Sequence, residues 1–260
     1  MKKTPQKHTR FSANSDKGDF MKLSKDDIVL FSGDSITDGN RVHKMDLNHI
    51  MGHGYQYIIA GRLALDNADS MPKFINKGYS GYTMGELLAK WQTDVIENKP
   101  TVLSILAGAN DVHFGYLEGL TVDETVERYK TDLSKAIELT KEKLGDIKII
   151  ICEPFYFNIP EEIYYNRCIP HPECEEPMLA YGPETDSKHI AYRTEATDKI
   201  RFAAKDVARH NGCIFVPLYD KFKEAAKNCR MEYLVWDGTH PTVAGHMLIA
   251  DEWLKAVNGL

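Results

Sequence analysis

A chain of 260 residues is long enough to bury one substantial core. Its 43% hydrophobic and 27% charged content is that of a soluble globular protein, and a net charge of −6 without an arginine-rich face argues against a nucleic-acid partner. No stretch approaches the ~20 apolar residues that cross a bilayer, so no membrane partner is expected.

Met1 to Ser24 is rich in Lys, Ser, Asp and Thr and lacks the apolar centre of a secretory signal. It reads as a mobile extension (residues 1–24) ahead of one domain spanning residues 25–260. The five cysteines, Cys152, Cys168, Cys174, Cys213 and Cys229, are odd in number and scattered. Reduced thiols in a cytoplasmic protein follow from that pattern.

Asp27 to Ser32 reads as the first strand, stopping abruptly at Gly33-Asp34-Ser35. Apolar residues from about His49 to Leu65 recur at a helical period. Phe74 to Asn76 is a short strand followed by the loop Lys77-Gly78-Tyr79-Ser80-Gly81. Met84 to Ile96 predicts an amphipathic helix with Leu87, Leu88, Trp91 and Val95 on one face. Thr101 to Leu106 has no charged residue, as a parallel strand covered on both faces requires, and ends in Ala107-Gly108-Ala109-Asn110-Asp111.

Val122 to Leu144 predicts a long helix, and Ile147 to Cys152 a strand closed by Glu153-Pro154. Phe155 to Lys188 breaks the alternation with prolines, tyrosines and acids at no steady period. A long irregular insertion of this kind is a lid, a subunit contact or a mobile loop, which leaves a homo-oligomer open. Ile190 to His210 resumes as a helix, Cys213 to Leu218 is a fifth strand, and Asp220 to Ala226 is a short helix. The last helix runs from about Thr242 to Val257, with Pro241 suited to its first position. Strands alternating with helices predict a right-handed parallel α/β sheet.

The loops after parallel strands all emerge on one edge of the sheet. Here they carry Gly33-Asp34-Ser35, Ser80-Gly81, Gly108-Ala109-Asn110-Asp111 and, late in the chain, Trp236-Asp237-Gly238-Thr239-His240-Pro241. Acyl transfer needs a hydroxyl nucleophile, a base, a carboxylate to orient the base, and donors for the oxyanion. Ser35, His240, Asp237, and the pair Gly81 and Asn110 supply one of each. The short turn from Asp237 to His240 lets the carboxylate reach Nδ1 and leaves Nε2 for Ser35. Taken singly, Ser35 reads equally well as a helix cap, Asp237 as a turn residue before glycine, and His240 as an exposed residue ahead of a helix.

Those four blocks, in that order, resemble the SGNH (GDSL) hydrolase family. The block-I motif ends in Ile36 where the family name has leucine. The resemblance implies a flavodoxin-like three-layer α/β/α sandwich with a five-stranded parallel sheet. It implies Ser35 as nucleophile, Asp237 and His240 as its partners, and an oxyanion hole from Ser35, Gly81 and Asn110. Within the family, Asn76-Lys77-Gly78, Trp91 with Asp94-Val95-Ile96, Asn110-Asp111-Val112, Pro154-Phe155-Tyr156 and Ala244-Gly245-His246-Met247 are similar to intracellular acetylxylan esterases. The chain departs from them in its extension and in the 155–188 segment.

Other motifs fail. No Gly-x-Ser-x-Gly elbow exists, and Gly33 to Gly39 lacks the Lys-Ser/Thr of a phosphate loop. Cys168, His171 and Cys174 offer three metal ligands without a fourth nearby, and read as surface thiols. His246 reads as a packed or capping histidine. Tyr156, Tyr164, Tyr165 and Trp236 either line a sugar site or pack.

The four loops predict a serine esterase that needs no metal or organic cofactor and acts on a small-molecule ester, and the resemblance implies that this ester is an O-acetyl group on a sugar. A thioesterase or lysophospholipase is the alternative within enzymes. A non-catalytic ligand-binding module on the same fold is the alternative outside them.

Overall fold

The computed structural model describes residues 23–43, 46, 49–159 and 186–258. Most of the N-terminal extension and most of the irregular segment, with Tyr164, Tyr165, Cys168, His171 and Cys174, lie outside the described residues.

Five parallel strands form one sheet in the order β2-β1-β3-β4-β5. They are β1 (Ile28–Gly33), β2 (Lys73–Gly78), β3 (Val102–Leu106), β4 (Lys148–Cys152) and β5 (Ile214–Val216). Side chains alternate across each strand, so β1 sends Val29 and Phe31 into one core and Leu30 into the other. The first core is closed by α2 (Tyr55–Asp66), α7 (Tyr219–Ala225) and α8 (Val243–Asn258). The second is closed by α3 (Met84–Ala89), α5 (Val122–Leu144) and α6 (Ser187–His210). Short helices α1 (Ser35–Asp38) and α4 (Ala109–Leu117) follow closely on β1 and β3. The expected three-layer α/β/α sandwich is present.

Local chemistry explains several boundaries. Thr83 and Glu86 form a reciprocal capping box at the start of α3, as Thr121 and Glu124 do for α5. Each core holds a wholly buried tryptophan whose ring N–H finds a hydroxyl. Trp253 donates to Ser104 Oγ at 3.0 Å and Trp91 to Thr140 Oγ1 at 2.8 Å.

Three expectations are corrected. The helix expected over His49–Leu65 begins only at Tyr55. The preceding turn is held by tertiary bonds, since Met51 O accepts from both Gln56 Nε2 and Asn76 Nδ2 at 2.8 Å. The helix expected over Met84–Ile96 ends at Ala89 and passes into a wider turn over Gln92–Ile96. The extra residue per turn lets Trp91, Val95 and Ile96 all face the core. Pro241 does not open the last helix; it bridges to Val235, two residues ahead of Val243. The described start of the irregular segment takes neither helix nor strand, as expected, and Phe155, Tyr156, Phe157 and Ile159 are buried there. Apolar side chains without a period still found a core there.

Register decides where the site falls. Gly33 at the end of β1 pairs with Gly78 of β2 on one side and Leu106 of β3 on the other. The three loops that follow therefore leave the sheet at one level. The chain turns to β2 on one flank of β1 and to β3 on the other, which makes the β1/β3 crevice the switch point where such sheets bind ligands.

Candidate active site

Ser35 lies just beyond β1. A Cβ on Gly33 would stand 2.2 Å from the Leu106 carbonyl oxygen, so only glycine lets β1 turn this close to β3. The helix cap here is Asp34, whose Oδ1 accepts the Ile36 N–H at 3.0 Å. Ser35 is the first residue of the helix, and its hydroxyl is left for another partner.

That partner is His240. Ser35 Oγ lies 2.7 Å from His240 Nε2, and His240 Nδ1 lies 2.6 Å from Asp237 Oδ2. The other carboxylate oxygen, Oδ1, accepts the backbone N–H groups of Thr239 at 2.9 Å and His240 at 2.6 Å. Asp237 thus builds the turn that carries the histidine. The turn is anchored from outside, where Phe157 N–H donates to Gly238 O at 2.9 Å.

Burial would push the Asp237 carboxyl up. The hydrogen bond and charge of His240, with the two amides, outweigh it and hold Asp237 below the ordinary carboxylate value. Burial would pull His240 down. The hydrogen bond and charge of Asp237, helped by the charge of Asp34, outweigh it and raise His240 above its usual value. Asp34 is wholly buried, and burial pushes it up to about 6 despite the Ile36 amide and the nearby His240.

The remaining predicted residues, Gly81 and Asn110, lie past β2 and in the first turn of α4. Gly81 takes φ +84°, with nothing within 4 Å of the place of a Cβ. Its neighbour Ser80 donates to Asp38 Oδ2 at 2.6 Å, tying the second loop to the first. Asn110 is the second residue of α4, a helix where the sequence suggests only a loop. One of its Nδ2 hydrogens goes to Tyr82 O at 3.1 Å, leaving the second unused by that bond. Next to it, the buried Asp111 accepts the Met84 N–H with both oxygens, at 3.1 and 3.0 Å, and joins the start of α4 to that of α3.

A cavity of about 360 Å³ opens at Ser35 and His240, walled also by Ile36, Asn40, His53, Ser80, Trp236 and His246. Gly81 and Asn110 are not part of that wall. Trp236 stacks on the His240 ring, with centroids 5.7 Å apart. Tyr156 faces elsewhere, with the Arg193 guanidinium 4.1 Å above its ring.

Sequence reasoning missed Arg193. Its Nη2 donates to Thr239 Oγ1 at 2.7 Å, inside the Asp237–His240 turn, and its charge opposes the rise of the His240 pKa. It comes from within the long helix α6, and no local pattern marks it.

A chain of hydroxyl, imidazole and carboxylate in this order can move a proton off the hydroxyl and return it to a leaving group. The comparisons with known proteins agree with that chemistry. The model of the GDSL-like lipase/acylhydrolase family matches residues 31–248. The chain belongs to this family and is a carboxylic ester hydrolase.

Among individual proteins, it is 29% identical over 241 residues to an acetylxylan esterase of Geobacillus stearothermophilus, covering 91% of this chain and 96% of that one. Crystal structures of Axe2, an acetylxylan esterase of the same organism, include catalytic mutants that replace an aspartate, a histidine or a serine. The aspartate mutant matches with a TM-score of 0.71 at 28% identity, over 91% of this chain and 96% of that chain. LAE5, an alpha/beta hydrolase enzyme from the metagenome of Lake Arreo, Spain, matches at 25% identity with a TM-score of 0.69, over 90% and 96%. Among the described residues, no helix is long and apolar enough to cross a membrane.

Proposed function

We propose that this protein is a serine acetylesterase that removes O-acetyl groups from a sugar through an acetyl-enzyme on Ser35. The observation that carries the reading is the 2.7 Å contact between Ser35 Oγ and His240 Nε2. In this mechanism Nε2 takes the Ser35 proton as Oγ attacks the acetyl carbonyl carbon. The Ser35 and Gly81 amides and the second Asn110 amide hydrogen receive the oxyanion. Each such donor is worth ~2.7–4 kcal/mol in the transition state. His240 then protonates the departing sugar oxygen as its bond to carbon breaks. Water, deprotonated by His240, attacks the acetyl-serine; acetate leaves and the proton returns to Ser35.

Two observations support a short acyl group on a polar alcohol. The cavity sits near the lower end of the ~300–1,000 Å³ range of small-molecule sites. Its wall is mostly imidazole, hydroxyl and amide, with Ile36, Trp236 and Pro241 as its larger apolar members, which is poor lining for a fatty acyl chain. The acetylxylan esterase relatives point the same way.

Replacing Ser35 with Ala tests the reading. Turnover of p-nitrophenyl acetate is expected to fall by about a millionfold, with the melting temperature kept. Activity persisting within a hundredfold of wild type would overturn it. Acetate release from a panel of acetylated xylo-, manno- and pectic oligosaccharides identifies the sugar.

A further inference from the structure

The cavity contains a second fixed imidazole that the acyl-transfer steps do not use. Helix α2 begins after Gly54, which has no side chain to cap it, and the first helical amide is answered from α8 instead. Tyr55 N–H donates to His246 Nδ1 at 3.1 Å in a buried contact. An imidazolium has no lone pair on Nδ1, so this bond requires a neutral ring with its proton on Nε2. Burial, followed by the charges of His53 and His240, lowers the His246 pKa to about 4, and the ring stays neutral under ordinary conditions.

The same ring lines the Ser35 cavity, whose wall holds no acidic side chain among the described residues. Its Nε2 has no hydrogen-bond partner among those residues. A nitrogen that already carries its proton cannot act as a base toward Ser35 or water. It can only donate. The oxyanion donors come from the loops after β1, β2 and β3, and the acetyl methyl accepts no hydrogen bond. The remaining acceptors on the substrate lie on the alcohol half, where a sugar offers hydroxyls that a simple alcohol lacks.

We propose that His246 is a specificity-determining residue whose Nε2–H binds a hydroxyl of the sugar being deacetylated, next to the ester oxygen. This rests on the acetylesterase reading of the site and deepens it. It makes the enzyme select polyhydroxylated alcohols over simple ones, with a donor that stays neutral across the working range of pH.

Two variants separate this role from the capping role. Asparagine places its oxygen near the position of Nδ1 and has nothing at Nε2, so His246→Asn keeps the α2 cap and loses the donor. Glutamine reaches the Nε2 position with an N–H, so His246→Gln keeps the donor and loses the cap. The readout is kcat/KM for a mono-O-acetylated methyl xyloside divided by kcat/KM for p-nitrophenyl acetate. His246→Asn is expected to lower this ratio ~5–10-fold, the worth of one neutral hydrogen bond, mainly through the KM of the sugar ester. Free methyl xyloside should also compete with p-nitrophenyl acetate less well than in the wild type. His246→Gln is expected to hold the ratio within about twofold while its melting temperature falls.

A ratio unchanged in His246→Asn, or a ratio lost equally in both variants, overturns the assignment. If His246→Asn does not fold, His246→Leu replaces it: it lacks the cap, as His246→Gln does, and also lacks the donor, so a ratio equal in those two variants overturns the assignment. A wild type that cleaves p-nitrophenyl acetate and not the sugar ester refutes the sugar reading itself. A wild type active on both with an indifferent His246→Asn refutes only the role of His246.

Discussion

Replacing Asp237 with Asn should inactivate the enzyme while leaving its fold intact, and the hydrogen bonds of the turn say why. Oδ1 of Asp237 accepts two backbone N–H groups, from Thr239 at 2.9 Å and His240 at 2.6 Å. An amide nitrogen cannot accept them, so the asparagine oxygen must take that place. Its NH2 group then faces His240 Nδ1, where Oδ2 lay at 2.6 Å. A donor opposite Nδ1 drives the ring proton to Nε2. Nε2–H then points at Ser35 Oγ, 2.7 Å away, and cannot receive its proton. A wrong tautomer of this kind costs about 10⁴ in kcat in serine hydrolases, or ~5 kcal/mol at 1.36 kcal/mol per decade.

The assay is p-nitrophenyl acetate turnover at pH 7.5 beside a thermal melt. A variant that keeps more than a tenth of wild-type kcat refutes the tautomer argument. Stability carries a second signature. Asp237 is held below the ordinary aspartate value of 3.8, so its contribution exists above that pH and fades as pH falls through the folded value. His240 is held above 6.5, so its contribution is complete below that pH and fades as pH rises through the folded value. The stabilising pair is therefore strongest between pH 3.8 and 6.5. Asp237→Asn should lose most melting temperature in that window, and an equal loss at pH 9 would contradict the pairing.

Two further outcomes follow from neighbouring charges. The acid limb of the wild-type pH–rate profile should lie above 6.5, because only neutral His240 acts as base. Removing the opposing cation in Arg193→Gln should move that limb to higher pH, with a larger loss of rate below the limb than on the plateau; a limb moving down refutes the assignment. Asp111, pushed up to about 7 by burial, keeps a proton that the unfolded chain gives up above 3.8, so its contribution falls as pH rises through that window. Asp111→Asn keeps an oxygen for the Met84 amide and never ionises. It should gain stability relative to wild type from pH 4 to pH 8, by a few kcal/mol in all, since each tenfold difference in proton affinity is worth about 1.4 kcal/mol. A difference in denaturation free energy that stays flat with pH refutes it.

What was legible in the sequence was whatever a short window encodes. The uncharged run before Gly33, the helical period from Val122 to Leu144 and the three-residue spacing of Asp237 and His240 each express local geometry. The strands, most helices and the pairing of carboxylate with imidazole followed from them. Helix α4 escaped because its first residues, Gly108-Ala109-Asn110-Asp111, have loop chemistry and its apolar residues keep no helical period. The true start of α2 was hidden because Asn76, distant in sequence, holds the Met51 carbonyl.

The chain's local patterns place Ser35 just past the first strand and put Asp237 and His240 in one short turn, but that turn joins α7 to α8 and follows no strand, so the expected alternation of strands and helices does not bring it to the serine. Which of its local alternatives each residue takes depends on contacts far along the chain. Asp34, not Ser35, caps the first helix, because the β1/β3 crevice buries that carboxylate beside the Ile36 amide and turns the serine hydroxyl to His240. Arg193 and His246 enter the site through α6 and α8, whose packing sets them beside residues far from them in sequence. Contacts of that range carry no periodic trace in the chain, which is why they became visible only when the sheet had brought its loops together.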